Sequence, residues 1–400
     1  MAATLGYYSP AFYANESLIW LTKALGFANT VHKGFDAERR TFDKGEVINI
    51  KRPATFTAAA APSTAVDVAT ESVQISLDQW YEVKFKLTDK ELAYSGDKII
   101  TDHIVPASYA LADNIDTAGM AQYKNIPNYF DVAGGASTTA VPDDILGVRK
   151  VLFDAKVPMK DPAMLSLMLD SGAETKLLGN SAFSQWQGNA NGGVNTQATG
   201  QLGQKFGFGN VFANQTVTDT THTPGTCNDT ALQLLGATAA GATTISLDAV
   251  DAGVTGTLVP GDVLTIAHGG TIGTRRYAVT NTVTAGSNQF VGVTITPGLA
   301  QAESDNKAVT ARIDTHIPML AYHRDAFALA MAKLPDFSNS NLFGNGQLGA
   351  KVASVQDPVT GLSVRSRIYY VGNSSEVHVA LDVLYGWKTL NPYLAARLCG

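Results

Sequence analysis

The stretch AYHRDAFALAMAKLP, residues 321–335, places a histidine, an arginine and an aspartate side by side. His-Arg-Asp is the catalytic-loop signature of protein kinases, and histidine with aspartate also occurs in hydrolase triads. A kinase requires an asparagine five residues after the aspartate to hold magnesium, but that position is Ala330. We therefore interpret His323–Asp325 as the polar first turn of a helix, where the helix dipole favours Asp325. The apolar side chains that this predicted helix buries are Phe327, Ala328, Met331 and Leu334.

The other residues that could do chemistry show no catalytic or metal-binding spacing. The seven histidines form no HExxH or HxH pattern, and Cys227 and Cys399 form no CxxC pair. GxSxG, phosphate-loop and EF-hand sequences are also absent. The sequence therefore predicts a protein that is not an enzyme, with no catalytic, cofactor-binding or metal-binding residues and no cofactor.

The composition indicates a folded chain that covers its surface with partners. Charged residues make up only 16% of the 400 residues, against about 25% in ordinary soluble domains. The net charge is −6 without a basic block, which argues against a dedicated nucleic-acid binder. Two cysteines far apart fit a reducing cytoplasm. The first ten residues, MAATLGYYSP, lack the features of a signal peptide, and the sequence predicts no membrane span.

A long β-hairpin is the strongest structural signal in the sequence. A strand is predicted at 46–53, and apolar residues alternate with polar ones throughout 73–88. Strict alternation over this length predicts one very long strand, since strands usually have about five or six residues. The low-complexity stretch 54–70 would join the two strands. Such a projection has little core of its own, so we expect it to lie on another surface.

Helices are predicted on both sides of this hairpin. Ser9 and Pro10 begin an amphipathic helix at 9–29, which we expect to pack on a neighbour or form an arm. A capping box of Thr88 and Glu91 precedes a long helix at 97–125 that Pro106 should kink. Further along, the sequence predicts a helix at 142–158, a buried strand at 163–169, a long loop at 180–215 and terminal strands at 362–371 and 376–385.

The region between Gly225 and Arg312 has a different character from the rest of the chain. Its short β-rich runs are separated by Gly, Pro and Asn turns and carry almost no helical pattern. This arrangement is typical of a small sandwich or barrel. Because helical and mixed patterns resume after it, we interpret it as an all-β module inserted into an α/β body.

Two stretches and the order of the predicted elements resemble one protein family. PMLAYHRDAFALAMAKLP (318–335) is similar to a family helix entered through an aromatic-His-basic-Asp-Ala-Phe-Ala run. Residues 362–398 are similar to the family's C-terminus, where a strand pair leads to an Asp-Val-Leu-Tyr-Gly turn and a final Pro-x-Leu-Ala-x-Arg segment. The family is that of the major capsid proteins of tailed bacteriophages. The resemblance covers 9–224 and 313–398, and the β module resembles the extra domain in coat proteins of some short-tailed phages.

The resemblance implies an α+β protein with the Hong Kong-97-type capsid fold and an inserted small all-β barrel. The implied parts are an N-arm at 1–45, an extended hairpin (E-loop) at 46–80, a P domain with spine helix at 81–127, an A domain at 128–224 and 313–349, the inserted barrel at 225–312, and P-domain strands with a C-terminal A-domain segment at 350–400. Some family members crosslink their subunits through a lysine and an asparagine, but nothing in this sequence identifies such a pair.

The resemblance also implies a function and partners. The chain would assemble as pentamers and hexamers into an icosahedral head that encloses double-stranded DNA without reading its sequence, and would change conformation on maturation. Scaffolding protein, portal and a decoration protein are the implied partners, no membrane is involved, and the protein would be assembled in the host cytoplasm into the virion. The alternatives are an extracellular adhesin or surface-layer protein, favoured by the β module, and a polysaccharide-acting enzyme, for which the sequence shows no paired carboxylates.

Overall fold

A computed structural model describes residues 10–33, 47–51, 61, 72–88, 103–132, 142–180, 199–229, 231–250, 253–270, 272–336, 350–358 and 360–400. The chain divides into two compact units. Unit one consists of Met1–Gly119 and Phe327–Leu390, and unit two consists of Met120–Ala326 and Asn391–Gly400. In the part of the chain that the structure describes, no helix combines the length and apolar character that crossing a membrane requires.

The elements of the described residues have the following bounds. The helices are α1 Pro10–Ala24, α2 Phe27–Thr30, α3 Val105–Met120, α4 Pro142–Asp154, α5 Ser171–Leu178 and α6 Gln215–Thr218. The strands are β1 Val47–Lys51, β2 Ser72–Ser76, β3 Gln79–Thr88, β4 Tyr129–Asp131, β5 Leu165–Leu169, β6 Gly203–Lys205, β7 Phe208–Ala213, β8 Ala231–Leu234, β9 Thr244–Ala249, β10 Thr257–Leu258, β11 Val263–Ala267, β12 Thr274–Val279, β13 Val283–Thr284, β14 Gln289–Thr296, β15 Ala308–Arg312, β16 Pro318–His323, β17 Phe327–Ala332, β18 Ala350–Gln356, β19 Ser363–Val371, β20 Glu376–Thr389 and β21 Ala395–Cys399. Short 3₁₀ segments lie at Ala121–Asn125, Pro162–Met164, Arg324–Ala326 and Pro392–Leu394.

Unit one is built on a five-stranded antiparallel sheet. Its strand order is β17-β20-β19-β18, with β3 on the other side of β20. The 14-residue β20 pairs with β3 along one edge, and with β19 and then β17 along the other. The predicted terminal strands at 362–371 and 376–385 are therefore confirmed as a hairpin. The expected Asp-Val-Leu-Tyr-Gly turn at 382–386 is wrong, because β20 runs straight through it.

Helices cover one face of this sheet. Tyr385 of β20 donates its hydroxyl hydrogen to Asn114 Oδ1 at 2.7 Å, and Trp387 Nε1 donates to the Ile115 carbonyl at 3.0 Å, both on α3. The expected N-terminal helix is confirmed as α1, which starts at Pro10 and buries Leu18 and Leu21. It packs on β18 and β19 of the same chain. Within the described residues, these helices therefore belong to the body of unit one.

The predicted single strand at 73–88 is instead two strands. The chain leaves the pairing between β1 and β2 at Leu77 and Asp78, and then pairs with β20 as β3. Apolar residues keep the same alternation on both sides of this switch, because each strand buries alternate side chains against a surface. Periodicity alone therefore does not reveal that the pairing partner changes.

The long helix predicted at 97–125 corresponds to α3 and the 3₁₀ segment that follows it. Pro106 is the second residue of α3, and a π-helical turn at His103–Ile104 directly precedes the helix. The described helical path therefore begins before Pro106 and changes from π to α geometry beside it, and the expected kink stays a prediction. Glu91 of the expected capping box and residues 97–102 lie outside the described residues.

The helix predicted at 321–335 is wrong. Residues 318–332 form two strands, β16 and β17, joined by the 3₁₀ segment Arg324–Ala326, and every residue of both strands is buried. A strand covered on both faces is apolar throughout, so it resembles a buried helix in sequence. Alanines with high helix propensity strengthened the helical interpretation. Strand pairing of β16 with β5 and β21, and of β17 with β20, overrides that propensity.

The predicted long hairpin is confirmed at its stem. β1 and β2 pair antiparallel, and their inward side chains pack on the alanines of β17. Gly386 makes this approach possible, because a Cβ at this position would lie 2.0 Å from the Ser76 carbonyl oxygen. The residues of this apolar cluster are Ile48, Ile50, Ile75, Leu77, Ala328, Ala330 and Ala332. Apart from Ala61, the connection at 52–71 lies outside the described residues.

Unit two contains a mixed six-stranded sheet and a barrel. The sheet order is β4-β21-β16-β5-β7-β6. The predicted helix at 142–158 and buried strand at 163–169 are confirmed as α4 and β5. The predicted loop at 180–215 is wrong where the structure describes it, since β6 and β7 form a hairpin there. Its turn residue Phe206 has a positive φ of 49° and is followed by Gly207, at 83°.

The β-rich region predicted between 225 and 312 forms a closed barrel. Its strand order is β11-β12-β14-β9-β8-β15, and β15 closes on β11. Alternating side chains fill the interior, as expected for a small barrel. The largest fully buried side chains of this core are Tyr277 and Phe290. The protein is thus a mixed α+β structure that includes a closed six-stranded barrel.

Candidate assembly surface

The His-Arg-Asp sequence forms a corner between two strands. His323 is buried, whereas Arg324 and Asp325 are exposed in the 3₁₀ segment that follows β16. The Asp325 backbone N–H donates to His323 Nδ1 at 3.2 Å, so the imidazole fixes the corner. Within the described ranges there is no group of three or more side chains able to hold a metal ion. The geometry gives these three residues a structural part in the corner.

The clearest binding feature of unit one is the free edge of β3. This ten-residue strand pairs with β20 along its whole length, and no described strand pairs with its other edge. Trp80 is 59% exposed and Tyr81 44% exposed, on opposite faces of the strand. A long edge with free backbone hydrogen-bonding groups and exposed aromatic side chains is a template for pairing with another chain. We call β3 with its side chains Trp80 and Tyr81 the edge surface.

A network of charged groups holds the edge surface rigidly on the sheet. The buried Asp382 carboxylate accepts hydrogen bonds from Arg365 Nε at 3.1 Å and Nη2 at 2.5 Å. Trp80 Nε1 also donates to Asp382, at 3.3 Å. Arg367 pairs with Glu82, which lies directly opposite Asp382. The two arginines thus compensate two carboxylates that would otherwise repel each other.

The opposite end of β3 is fixed by a second ion pair. Lys86 Nζ lies 2.7 Å from Glu376 Oε1, and His378 Nε2 lies 3.2 Å from Glu376 Oε2. Hydrogen bonds from Lys86 and then His378 lower the pKa of Glu376 to about 2. Side chains near both ends of β3 therefore pair with side chains of the neighbouring strands β19 and β20.

Unit two contains a buried polar cluster where the barrel meets the last strand. Arg397 of β21 is fully buried, and it donates to the Ile126 carbonyl at 2.9 Å and the Gly261 carbonyl at 2.8 Å. Next to Gly261, Asp262 pairs with His222 at 3.1 Å. The ring of His222 lies 4.9 Å from that of His316. These contacts join the barrel to β21 and to the 3₁₀ segment before β4.

Burial determines the protonation state of His316. Burial lowers its pKa from 6.5 to about 3; the hydrogen bond to the Asp314 carbonyl opposes this shift, while the charges of Arg397 and Arg312 add to it. The imidazole is therefore neutral in the folded protein at neutral pH. Burial also raises the pKa of Tyr123, whose hydroxyl lies 3.2 Å from His222 Nδ1.

We expect His316→Asn to flatten the pH dependence of stability on the acid side. Between pH 6.5 and about 3 the unfolded chain binds a proton at His316 that the folded chain does not. The free energy of unfolding must therefore fall as the pH falls through this range, by at most about 1.4 kcal/mol per pH unit. Urea unfolding of both proteins from pH 7 to pH 4 measures the difference in slope. Parallel curves would contradict the buried neutral state of His316.

Sequence reasoning missed the residues that organise these sites. In the sequence, Arg365 and Asp382 look like ordinary polar residues of alternating strands. Only the register of β19 on β20 places them opposite each other. Arg397 falls in a segment singled out by the resemblance, without any signal that it is buried. For the edge surface, the alternation in 79–88 identified the strand but not which of its edges is free.

Comparisons with known proteins give similarity to solved structures, among them several of phages. No family model matches the sequence, and no curated protein matches it. A structure of Mycobacterium phage Che8 is similar with a TM-score of 0.46 and 13% identity, over 94% of this chain and 90% of that chain. The capsid structure of cyanophage P-SCSP1u is similar with a TM-score of 0.40 and 11% identity, over 90% of this chain and 85% of that chain. The mature capsid of bacteriophage PhiM1 is similar with a TM-score of 0.41 and 13% identity, over 89% of this chain and 82% of that chain.

Proposed function

We propose that this chain is a major capsid protein that assembles into the icosahedral head of a tailed bacteriophage. The observation that carries the proposal is the edge of β3 around Trp80 and Tyr81, with which no described strand pairs and which directly follows the β1–β2 hairpin stem. The hairpin stem is covered by β17 of the same chain, whereas the edge of β3 has no partner strand among the described residues. Repeated copies of one subunit would supply that partner at every position of a shell. The sequence resemblance at 318–335 and 362–398 supports the same assignment through its residues alone, because strands replace the helix and the turn that it implied.

The proposed parts of the capsid fold would be assigned to the elements as follows. The E-loop at 46–80 would contain the β1–β2 stem, the spine helix of the P domain at 81–127 would be α3, and the N-arm at 1–45 would begin with α1 and α2. The A domain would comprise 128–224 and 313–349, with the barrel at 225–312 inserted into it. The strands of 350–400 would complete the P domain and the C-terminal A-domain segment.

In this proposal the function is assembly and not catalysis. Head-to-tail contacts close into rings by rotation, which gives the pentamers and hexamers of a shell. The hairpin would lie across the adjacent subunit, and the edge surface would meet a neighbouring chain. Scaffolding protein, portal and a decoration protein would be partners, and the head would enclose double-stranded DNA without sequence-specific contacts. Assembly in the host cytoplasm and a conformational change on maturation complete the proposal.

The second candidate function is an extracellular adhesin or surface-layer protein. The closed barrel favours it, because compact β modules are common in such proteins. Electron micrographs of the purified full-length protein distinguish the two. Hollow polyhedral shells are the expected result, flat sheets would support a surface layer, and small discrete particles at all concentrations would contradict both.

We expect Trp80→Ala to impair assembly while leaving the subunit folded. Trp80 is mostly exposed, but its Nε1 donates to the buried Asp382, so its truncation should lower the free energy of unfolding by about 1–2 kcal/mol, while Arg365 still compensates the carboxylate. A tryptophan buried at an interface contributes about 2 kcal/mol or more, and every subunit of a shell repeats the loss. Sedimentation of assembling protein should show at least about a tenfold higher concentration requirement.

Val291→Ala is the matched control for this prediction. Val291 is 65% exposed on the barrel, and its truncation should leave the concentration requirement unchanged. Unaltered assembly of Trp80→Ala would exclude the edge surface as a subunit contact.

A further inference from the structure

Helix α4 has two apolar faces, of which the fold uses one. Ile145, Val148 and Leu152 are buried and attach the helix to unit two. Leu146 and Phe153 lie outside this buried face and are 43% and 69% exposed. They are seven residues apart, so at 3.6 residues per turn they align along one line of the helix surface. An ordinary surface helix carries polar residues on this side.

Two cationic side chains flank this apolar line. Arg149 and Lys150 lie on either side of it, and together with Leu146, Phe153 and Met159 they line an open groove of about 190 Å³. Small-molecule sites usually have about 300–1,000 Å³ and enclose their ligand, so this groove suits a protruding side chain of a macromolecule. We call these five residues the α4 groove.

The Arg149 guanidinium is held by packing and does not use all of its hydrogen-bond donors within the described residues. Its guanidinium packs against Gly207, where an added Cβ would lie 2.9 Å from Arg149 Nε. The Nε atom is buried, and no described residue accepts a hydrogen bond from it. Packing therefore fixes the group beside the groove, and no described ion pair neutralises it. A positioned arginine without a carboxylate partner is suited to pairing with one from another molecule.

We propose that the α4 groove docks an acidic amphipathic helix of another protein. The apolar ridge of the partner would lie on Leu146 and Phe153, and carboxylates on either side of that ridge would pair with Arg149 and Lys150. The net charge of −6 disfavours an acidic partner elsewhere on the surface, so these cations would select the site.

A second copy of this chain fits the groove less well. Among the described helices outside α4, α1 exposes Ile19 and α3 exposes Tyr109, one large apolar side chain each, so neither offers an apolar ridge of two. The α4 helix of a second copy carries the same two cations, which would repel Arg149 and Lys150 where the ridges meet. The inference concerns a different surface from β3 and does not depend on the proposed function.

Two synthetic helical peptides test the proposal on the full-length protein. Each has about 20 residues, long enough to be helical, and a leucine ridge flanked on both sides by glutamates in one peptide and by lysines in the other. Fluorescence anisotropy measures their binding to the parent and to the variants Lys150→Glu and Phe153→Asn. Lys176→Glu on α5 and Val291→Asn on the barrel are matched controls, since both residues are exposed and distant in sequence from α4.

The expected result is saturable, salt-sensitive binding of the glutamate peptide, at least about tenfold tighter than that of the lysine peptide. Lys150→Glu and Phe153→Asn should each weaken it about tenfold, Lys150→Glu should improve binding of the lysine peptide, and both controls should bind like the parent. Equal binding of the two peptides, or parent-like binding by Phe153→Asn, overturns the proposal. Sedimentation of the parent and of Phe153→Asn without peptide tests whether a second copy of this chain occupies the groove. A loss of self-association in Phe153→Asn would assign the groove to a second copy and would overturn the proposal.

Discussion

Asp116→Ala is expected to lower the free energy of unfolding of unit one by about 3 kcal/mol and to release the N-terminal helices. The Asp116 carboxylate on α3 is almost fully buried. Its Oδ2 accepts from the backbone N–H groups of Gly26 at 2.8 Å and Phe27 at 3.1 Å, and its Oδ1 accepts from Ala28 at 2.9 Å. One side chain thus satisfies three N–H donors at the start of α2, which an alanine would leave unpaired.

The effect should extend beyond the lost hydrogen bonds. Phe27, held by this carboxylate, stacks on Trp387 with ring centroids 5.2 Å apart. Gly119 leaves room for this stack, since a Cβ there would lie 2.6 Å from Trp387 Cζ2. When α2 loosens, the aromatic contact between the N-terminal region and β20 should loosen with it.

Urea unfolding followed by circular dichroism measures the loss, and Asp113→Ala is the matched control. Asp113 lies on the same helix but is exposed, so its replacement should change the free energy of unfolding by less than about 0.5 kcal/mol. Hydrogen exchange should increase in 10–33 only for Asp116→Ala. Equal stability of the two variants would mean that Asp116 does not anchor α2.

Local sequence patterns predicted those elements that bury one face and expose the other. Alternation located β2 and β3, turn residues separated the barrel strands, and Pro10 marked the start of α1, because each of these signals depends on nearby residues only. Residues 318–332 were predicted as helix because β16 and β17 are covered on both faces, so their sequence lacks the alternation of apolar and polar residues that marks a strand. The same limit explains the 73–88 strand, whose change of partner leaves no trace in its pattern.

The organising polar residues depend on contacts between distant parts of the chain. Asp116 lies 90 residues from Gly26, and Arg397 lies 136 residues from Gly261. Burial of such groups is tolerated only where partners converge, and that convergence is a property of the completed fold. The edge surface has the same character, since a free edge is defined by which strands pair elsewhere. The sequence therefore indicated the need for partners, but not the surfaces that would meet them.

Arg397→Ala is expected to lower the free energy of unfolding of unit two by about 3–5 kcal/mol, the largest effect of a single substitution that we predict. Arg397 is completely buried on β21, and burial lowers its pKa. Truncation would leave the carbonyl oxygens of Ile126 and Gly261 without their donor and create a cavity beneath the barrel. Arg397→Lys keeps the charge but not the fork that reaches both carbonyls, so its loss should be intermediate.

Arg324→Ala provides the control for this experiment in the same unit. Arg324 is exposed in the corner after β16, so its removal should change the free energy of unfolding by less than about 0.5 kcal/mol. Hydrogen exchange of 253–270 should rise in Arg397→Ala, because the bond to Gly261 is a direct link from the last strand to the barrel. If the free energy of unfolding of Arg397→Ala falls while hydrogen exchange in the barrel stays at the parent level, Arg397 stabilises the sheet alone. The barrel is then held by its other contacts.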